Sequence, residues 1–135
     1  MIADTSGLLA FFNAEEPAHT PVVTAVEASD EPLVVSPFVI AELDYLVASR
    51  YGVDAELAVL EELMGGAWLL APFDHSDLEK AVRVVARYRD QDIGVADASL
   101  VVLADRFGTR RLLTLDRRHF EVVRPRHGGR FTIIP

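Results

Sequence analysis

Met1-Ile2-Ala3-Asp4-Thr5-Ser6-Gly7-Leu8-Leu9 opens the chain: a very short apolar run, a carboxylate, two hydroxyls, then an apolar helical pattern. This order predicts a buried strand that ends at Asp4, with Thr5 or Ser6 capping the helix that follows. In an open α/β sheet, ligands sit beyond the carboxyl ends of the strands. Asp4 is therefore expected at the mouth of the sheet. The functional reading turns on whether other acids reach the same mouth, and three are expected to do so: Glu42, Asp97 and Asp116.

Working outward, Gly7–Phe12 reads as a short apolar helix broken by Asn13-Ala14-Glu15-Glu16-Pro17. Thr20-Pro21 is a cap followed by proline at a first helical position, and the helix runs through Val22, Val23 and Val26. Leu33-Val34-Val35 is a second short strand. Ser36-Pro37 repeats the cap-plus-proline signal ahead of Val39, Ile40, Leu43, Leu46 and Val47, spaced at three and four residues. Glu42 falls among these, within the first turns. Gly52 ends that helix, and Asp54 is expected to cap the next one, through Leu57, Leu60, Leu63 and Met64. Trp68–Ala71 is a third strand. Ser76-Asp77-Leu78-Glu79 reads as a capping box that opens a helix through Ala81, Val82, Val85 and Tyr88.

After a polar loop, Val95–Ala104 is small and apolar almost all round, as in a helix buried on most faces. Asp97 lies near its start. Arg111–Leu115 is a fourth strand with Asp116 just past its end, and Phe131–Ile134 is a fifth. Strands alternating with helices imply a parallel sheet with right-handed crossovers. The expected fold is a three-layer α/β/α domain with a central parallel sheet of four to five strands. A chain of 135 residues makes one domain, 1–135, the expectation.

Half the residues are apolar and a quarter charged, an ordinary globular composition. No apolar run reaches the ~18 residues of a membrane span, and no basic-then-apolar leader is seen. These features lead us to expect a cytoplasmic protein without a membrane partner. With no cysteine, disulfides, thiolate zinc sites and a thiol nucleophile are excluded. The net charge is −8, yet from Asp105 onward eight arginines face three acids. Arginine forks fit phosphates bidentately, which makes nucleic acid a candidate partner of this end; a solvated basic edge or a dimer surface fits the charge equally well.

Asp4 and Asp116 each follow a strand, Glu42 follows another through a helix start, and Asp97 opens a helix. The alternation sends all four towards one rim of the sheet. Grouped carboxylates repel and are costly to bury, and a divalent cation removes both objections. Oxygen donors select hard ions such as Mg²⁺ or Mn²⁺. Two such ions about 3.5–4 Å apart can activate water at a phosphodiester. Taken singly, each acid has a plain structural role: a strand-end cap, a helix first-turn acid, or a partner for Arg117 or Arg118. The four histidines (His19, His75, His119, His127) lack metal-ligand spacing and read as surface or packing residues, with His119-Phe120 packing the loop after Asp116. Ser99 has no histidine motif or G-x-S-x-G elbow to make it a nucleophile, and no phosphate-binding glycine pattern occurs.

Asp4-Thr5-Ser6, Glu42 within Ser36–Leu43, Asp97 within Gly94–Leu100, and Leu113-Thr114-Leu115-Asp116-Arg117-Arg118-His119-Phe120 together resemble the PIN-domain nucleases, and more narrowly the VapC-type toxins of bacterial toxin–antitoxin pairs. The resemblance spans nearly the whole chain. It implies Mg²⁺- or Mn²⁺-dependent endonucleolytic cleavage of RNA, a homodimer, and inhibition by a VapB-type antitoxin. It places Asp4, Glu42, Asp97 and Asp116 as the metal-site acids. Ser6 and Thr114 become hydroxyl partners that orient carboxylates or water, and Arg117 and Arg118 candidates for gripping flanking phosphates. A receiver domain would need a lysine at a late strand end; the only lysine, Lys80, lies inside a helix. The remaining alternative is a catalytically idle domain that only binds protein or RNA, which a cleavage assay with and without Mg²⁺ separates.

Overall fold

The computed structural model describes all residues, 1–135. In chain order the elements are β1 (Ile2–Ala3), α1 (Thr5–Phe12), α2 (His19–Glu27), β2 (Leu33–Val35), α3 (Pro37–Tyr51), α4 (Val53–Met64), β3 (Trp68–Leu70), α5 (His75–Arg87), α6 (Val95–Arg106), β4 (Arg111–Leu113), α7 (Arg117–Phe120) and β5 (Thr132–Ile134). The strands form one all-parallel sheet in the order β3-β2-β1-β4-β5. Connections between parallel strands of one sheet cross over with a right-handed sense as a rule, which puts the intervening helices on both faces and gives the expected three layers.

The strands are two or three residues long; β1, β2 and β4 at the centre lack alternation because both faces are covered, while Leu69 and Leu70 of β3 and Thr132 of β5, at the edges, are exposed. Ile2, Val35, Leu112 and Leu113 have no exposed surface. In α6, Ala98 through Ala104 are buried without interruption, so this helix crosses the sheet as part of the core. The chain winds outward from β1 through β2 to β3, then returns to place β4 on the other side of β1. The strand order thus reverses between β1 and β4. Crevices at such switch points, outside the carboxyl ends of the strands, are where open α/β sheets bind ligands.

Local signals explain most boundaries. Ser36 caps α3, its Oγ accepting the Phe38 amide at 3.3 Å, and Pro37 stands at the first helical position. Gly52 ends α3 at φ 85°, a left-handed turn open to glycine. That same glycine heads α4, so Asp54 falls in the first turn rather than at the cap, where its charge still suits the helix dipole. Thr20 is likewise inside α2, which starts at His19. Pro21 remains in the first turn, where an amide hydrogen is not needed. The capping box of α5 lies two residues earlier than expected, with Asp74 accepting from the Asp77 amide and Asp77 from the Asp74 amide, both at 3.0 Å. Strand β4 stops at Leu113 rather than Leu115, and α7, which the sequence did not announce, follows.

Gly7 lets α1 approach the sheet. A Cβ there would run into the backbone carbonyl and side chain of Leu113 at the end of β4. The close approach sets the hydroxyls of α1 against the residues that follow β4.

Candidate metal centre

Asp4 follows β1 directly. It occupies the N-cap position of α1, so neither Thr5 nor Ser6 is the cap, and its side chain caps nothing. Instead, one carboxylate oxygen accepts two hydroxyls: Ser6 Oγ at 2.7 Å and Thr114 Oγ1 at 2.7 Å. Ser6 and Thr114 stand 3.2 Å apart. Ser6 Oγ also takes the Leu115 amide at 2.9 Å, and Thr114 Oγ1 takes the Asp116 amide at 3.0 Å. The Asp4 carboxylate, only 6% exposed, is thereby fixed from both strands of the switch point. The expected hydroxyl partners, Ser6 and Thr114, both lie on it.

Asp97 is in the first turn of α6. Its carboxyl is raised to about 6, first by burial and then by the facing Asp4 charge. Asp116 pushes the same way, while His119 and the Gly94 amide pull back. Asp116 caps α7, accepting the His119 amide at 3.2 Å. Glu42 is exposed on α3. It joins the group through α1, its Oε2 accepting the Thr5 hydroxyl at 2.6 Å. Of the four acids only Asp4 is buried; Asp97 and Asp116 are half-buried.

The structure therefore brings all four acids to one rim, at the carboxyl ends of β1 and β4. No three of the carboxylate and imidazole groups stand close enough together to ligate one ion as a ready-made cage. Arg117 and Arg118 are exposed beside Asp116 and pair with none of the acids. Arg117 instead donates to the Pro135 carbonyl at 3.1 Å.

Three residues of the site escaped the sequence reading. Thr5, the first residue of α1, anchors Glu42 rather than capping the helix. Ser99 has no nucleophilic setting; its Oγ meets Ser36 Oγ at 2.6 Å and joins the helices that carry Asp97 and Glu42. His119 faces the acids. Its Nδ1 lies 3.0 Å from Asp116 and 3.5 Å from Asp97, off the line of a hydrogen bond with either. The spacing Asp116-x-x-His119, a cap followed by the residue whose amide it accepts, was the available signal.

The residues fit a hard divalent cation. The donors are oxygens, as such an ion requires. The Asp97 carboxyl is held high by burial and then by the Asp4 and Asp116 charges, whose repulsion a cation would relieve. The buried His119 Nδ1 has no hydrogen-bond partner among the protein groups around it.

The PIN domain family matches residues 1–125. Ribonuclease VapC26 of Mycobacterium tuberculosis (strain ATCC 25618 / H37Rv) is 62% identical over 135 residues, with all of both chains covered. Among solved structures, the Mycobacterium tuberculosis toxin VapC20, described as cleaving the sarcin-ricin loop, superposes with a TM-score of 0.79. Its identity is 19%, and the match covers 86% of this chain and 89% of that one. The Rickettsia felis VapBC2 structure, bound to a promoter DNA fragment, gives a TM-score of 0.70 at 12% identity, with 99% of this chain and 98% of that one covered. At those identities the two structures bear on the fold.

Proposed function

The chain belongs to the PIN-domain family, and from that premise we propose that it is a metal-dependent endoribonuclease, the VapC-type toxin of a toxin–antitoxin pair, acting as one domain over residues 1–135 in the cytoplasm. The observation that carries this reading is the convergence of Asp4, Asp97 and Asp116 on the rim at the switch point, near enough that the Asp4 and Asp116 charges add to burial in holding the Asp97 carboxyl at about 6. The name of the 62% identical relative supports RNA as the substrate. The Rickettsia felis VapBC2 structure supports a VapB-type antitoxin as partner. A homodimer is part of the same proposal. Substrate choice rests on the shape of single-stranded or looped RNA, since no residue pattern here spells out base recognition.

Asp4, Asp97 and Asp116 would hold Mg²⁺, with Mn²⁺ as a substitute, in part through bound water because the three do not form a ready-made cage, and Glu42 would complete the set. When bound, the cation neutralises charge on the scissile phosphate and makes water a better nucleophile. Ser6 and Thr114 keep the Asp4 carboxylate in one orientation by both donating to the same oxygen, which leaves the other oxygen for an ion or its water. Thr5 does the same for Glu42, whose carboxylate takes the proton from the attacking water. An oxygen–phosphorus bond forms as the bond to the leaving ribose oxygen breaks, and that oxygen is protonated from solvent. Arg117 and Arg118 grip phosphates flanking the cut.

The test is incubation of the purified, partner-free chain with an RNA pool in Mg²⁺, in Mn²⁺ and in EDTA. Cleavage confined to the metal-containing reactions supports the proposal. No cleavage of any RNA in either metal overturns it and leaves a binding module. Sequencing the ends produced identifies the target RNA.

A further inference from the structure

Away from the acids, two cavities lined by basic side chains lie along the C-terminal segment. One, about 200 Å³, is bordered by Arg117, Arg124 and Arg130. The other, about 140 Å³, lies between α5, α6 and the tail and is bordered by Lys80, Arg83, Arg87, Arg124 and Arg126. Arg124 lines both, so they form one track. It begins at Arg117, the residue after Asp116. Glu121 is the single acid on either lining. The two cavities together gather more than half of the chain's 13 lysines and arginines, in a protein of net charge −8.

Three of the seven cations on this track are paired with acids and four are not. Lys80 and Arg83 pair at 3.5 Å with Asp77 and Glu79 of their own helix, and Arg126 pairs with Asp105 at 2.9 Å. Arg87, Arg117, Arg124 and Arg130 form no ion pair. Arg124 is steadied through neutral groups: its amide donates to the Tyr88 hydroxyl at 3.0 Å and its Nη1 to the Glu121 carbonyl at 2.7 Å. The Arg87 guanidinium sits 5.5 Å from the centre of the Tyr88 ring. A guanidinium has five donors in a planar fork, so most remain available to a phosphate. Cations clustered on one face of an acidic protein, with their forks oriented by backbone and ring contacts, make a surface for a polyanion.

We propose that this track, running from Arg117 through Arg124 to α5, binds the phosphodiester backbone of the RNA strand beyond the cut. The inference rests on the reading of the chain as a ribonuclease. It names where the substrate leaves the acids and which side chains hold it. Phosphate contacts set position and not sequence, so the track supplies affinity and register while RNA shape supplies selection.

The experiment measures binding of a labelled, mixed-sequence single-stranded RNA to the full-length chain in EDTA, where it is not cut, over a series of salt concentrations. The variants are the double Arg83→Glu, Arg87→Glu on α5, Arg130→Glu in the other cavity, and Arg50→Glu on α3 as the control. The expected result is binding weaker by about tenfold or more for the double variant, with the slope of log Kd on log salt shallower by about 1.4, or roughly 0.7 for each lost phosphate contact. Arg130→Glu shifts both in the same direction, so the result does not hang on one variant's folding. Arg50→Glu leaves both unchanged. Parental affinity and slope in the α5 and Arg130 variants overturn the proposal. So does a change of oligomeric state with RNA binding intact, which would make the face a protein contact. A parent chain that cleaves RNA while the track variants bind normally sinks the track alone. A parent that binds through the track but never cleaves sinks the nuclease reading alone.

Discussion

Ser36 Oγ and Ser99 Oγ meet at 2.6 Å, and neither residue has any exposed surface. Ser36 caps α3, which carries Glu42, and Ser99 lies two residues after Asp97 in α6. Ser99 also stands 2.6 Å from the Ala96 carbonyl, to which its hydroxyl donates. Two helices from distant parts of the chain are thus joined where their acids must share a crevice.

Removing one hydroxyl leaves the other buried with a lost partner. Ser99→Ala is expected to cost about 1–2 kcal/mol of stability, and the Ser36→Ala, Ser99→Ala pair less than the sum of the single changes. Urea unfolding of the four proteins measures this as a double-mutant cycle. Additive costs would mean that the hydroxyls do not act on each other.

Gly7→Ala tests the approach of α1 to β4. The new Cβ meets the Leu113 backbone, which cannot move aside as a flexible side chain can. An expected loss of about 1–3 kcal/mol follows from overpacking. Because Ser6 would move with the helix, Mg²⁺-dependent cleavage should fall as well. A melting temperature and activity equal to the parent's would show that the helix does not press on the strand this closely.

Asp97 sets a pH dependence with a definite sign. Its folded value, about 6, is above its ordinary 3.8. Between those values the folded state binds more protons than the unfolded one, so stability of the metal-free chain falls as pH rises through the window. At neutral pH the charge costs about 3 kcal/mol. Asp97→Asn should therefore raise the metal-free melting temperature at pH 7 while abolishing cleavage. Thermal unfolding of both proteins from pH 4 to 8, with activity alongside, checks this; a destabilised and still active Asp97→Asn would remove the residue from the site.

Asp77 gives the opposite sign. The Arg106 guanidinium, above all, holds its carboxyl at about 2, with the Asp74 amide and Lys80 helping. This stabilisation is present above the ordinary 3.8 and is lost as pH falls through about 2. Asp77→Asn should cost about 1 kcal/mol at pH 7, with the gap closing between roughly pH 4 and pH 2. A gap that stays constant across that range would mean that Arg106 does not act on the ionised carboxyl.

Much of this was legible because it is local. Ser36-Pro37 and Gly52 bound α3 through their own backbone preferences, and α/β alternation alone carried Asp4, Glu42, Asp97 and Asp116 to one rim. What could not be read depends on long-range partners. Asp4 looked like a position before a cap until Thr114, 110 residues later, took its carboxylate. Ser76-x-x-Glu79 matches the capping-box pattern, yet the box forms at Asp74 and Asp77, where Arg106, a residue far along the chain, packs against Asp77. Helix α7 has four residues and one buried aromatic, too little for a period to show, so the place of His119 against Asp97 and Asp116 stayed hidden. Arg83 and Arg87 of α5 share a cavity with Arg124 only because the tail folds back beside them, a long-range relation that no local pattern announces.

The central claim is that the acids at the switch point take up a hard divalent cation, and calorimetric titration of Mn²⁺ and Mg²⁺ into the purified chain at pH 7.5 and 5 tests it most directly. The account predicts saturable binding at the higher pH, weakened at the lower one as Asp97 gains a proton, and lost in Asp4→Asn and Asp97→Asn. Equal heats from the parent and both variants, or binding indifferent to pH across that range, would contradict it.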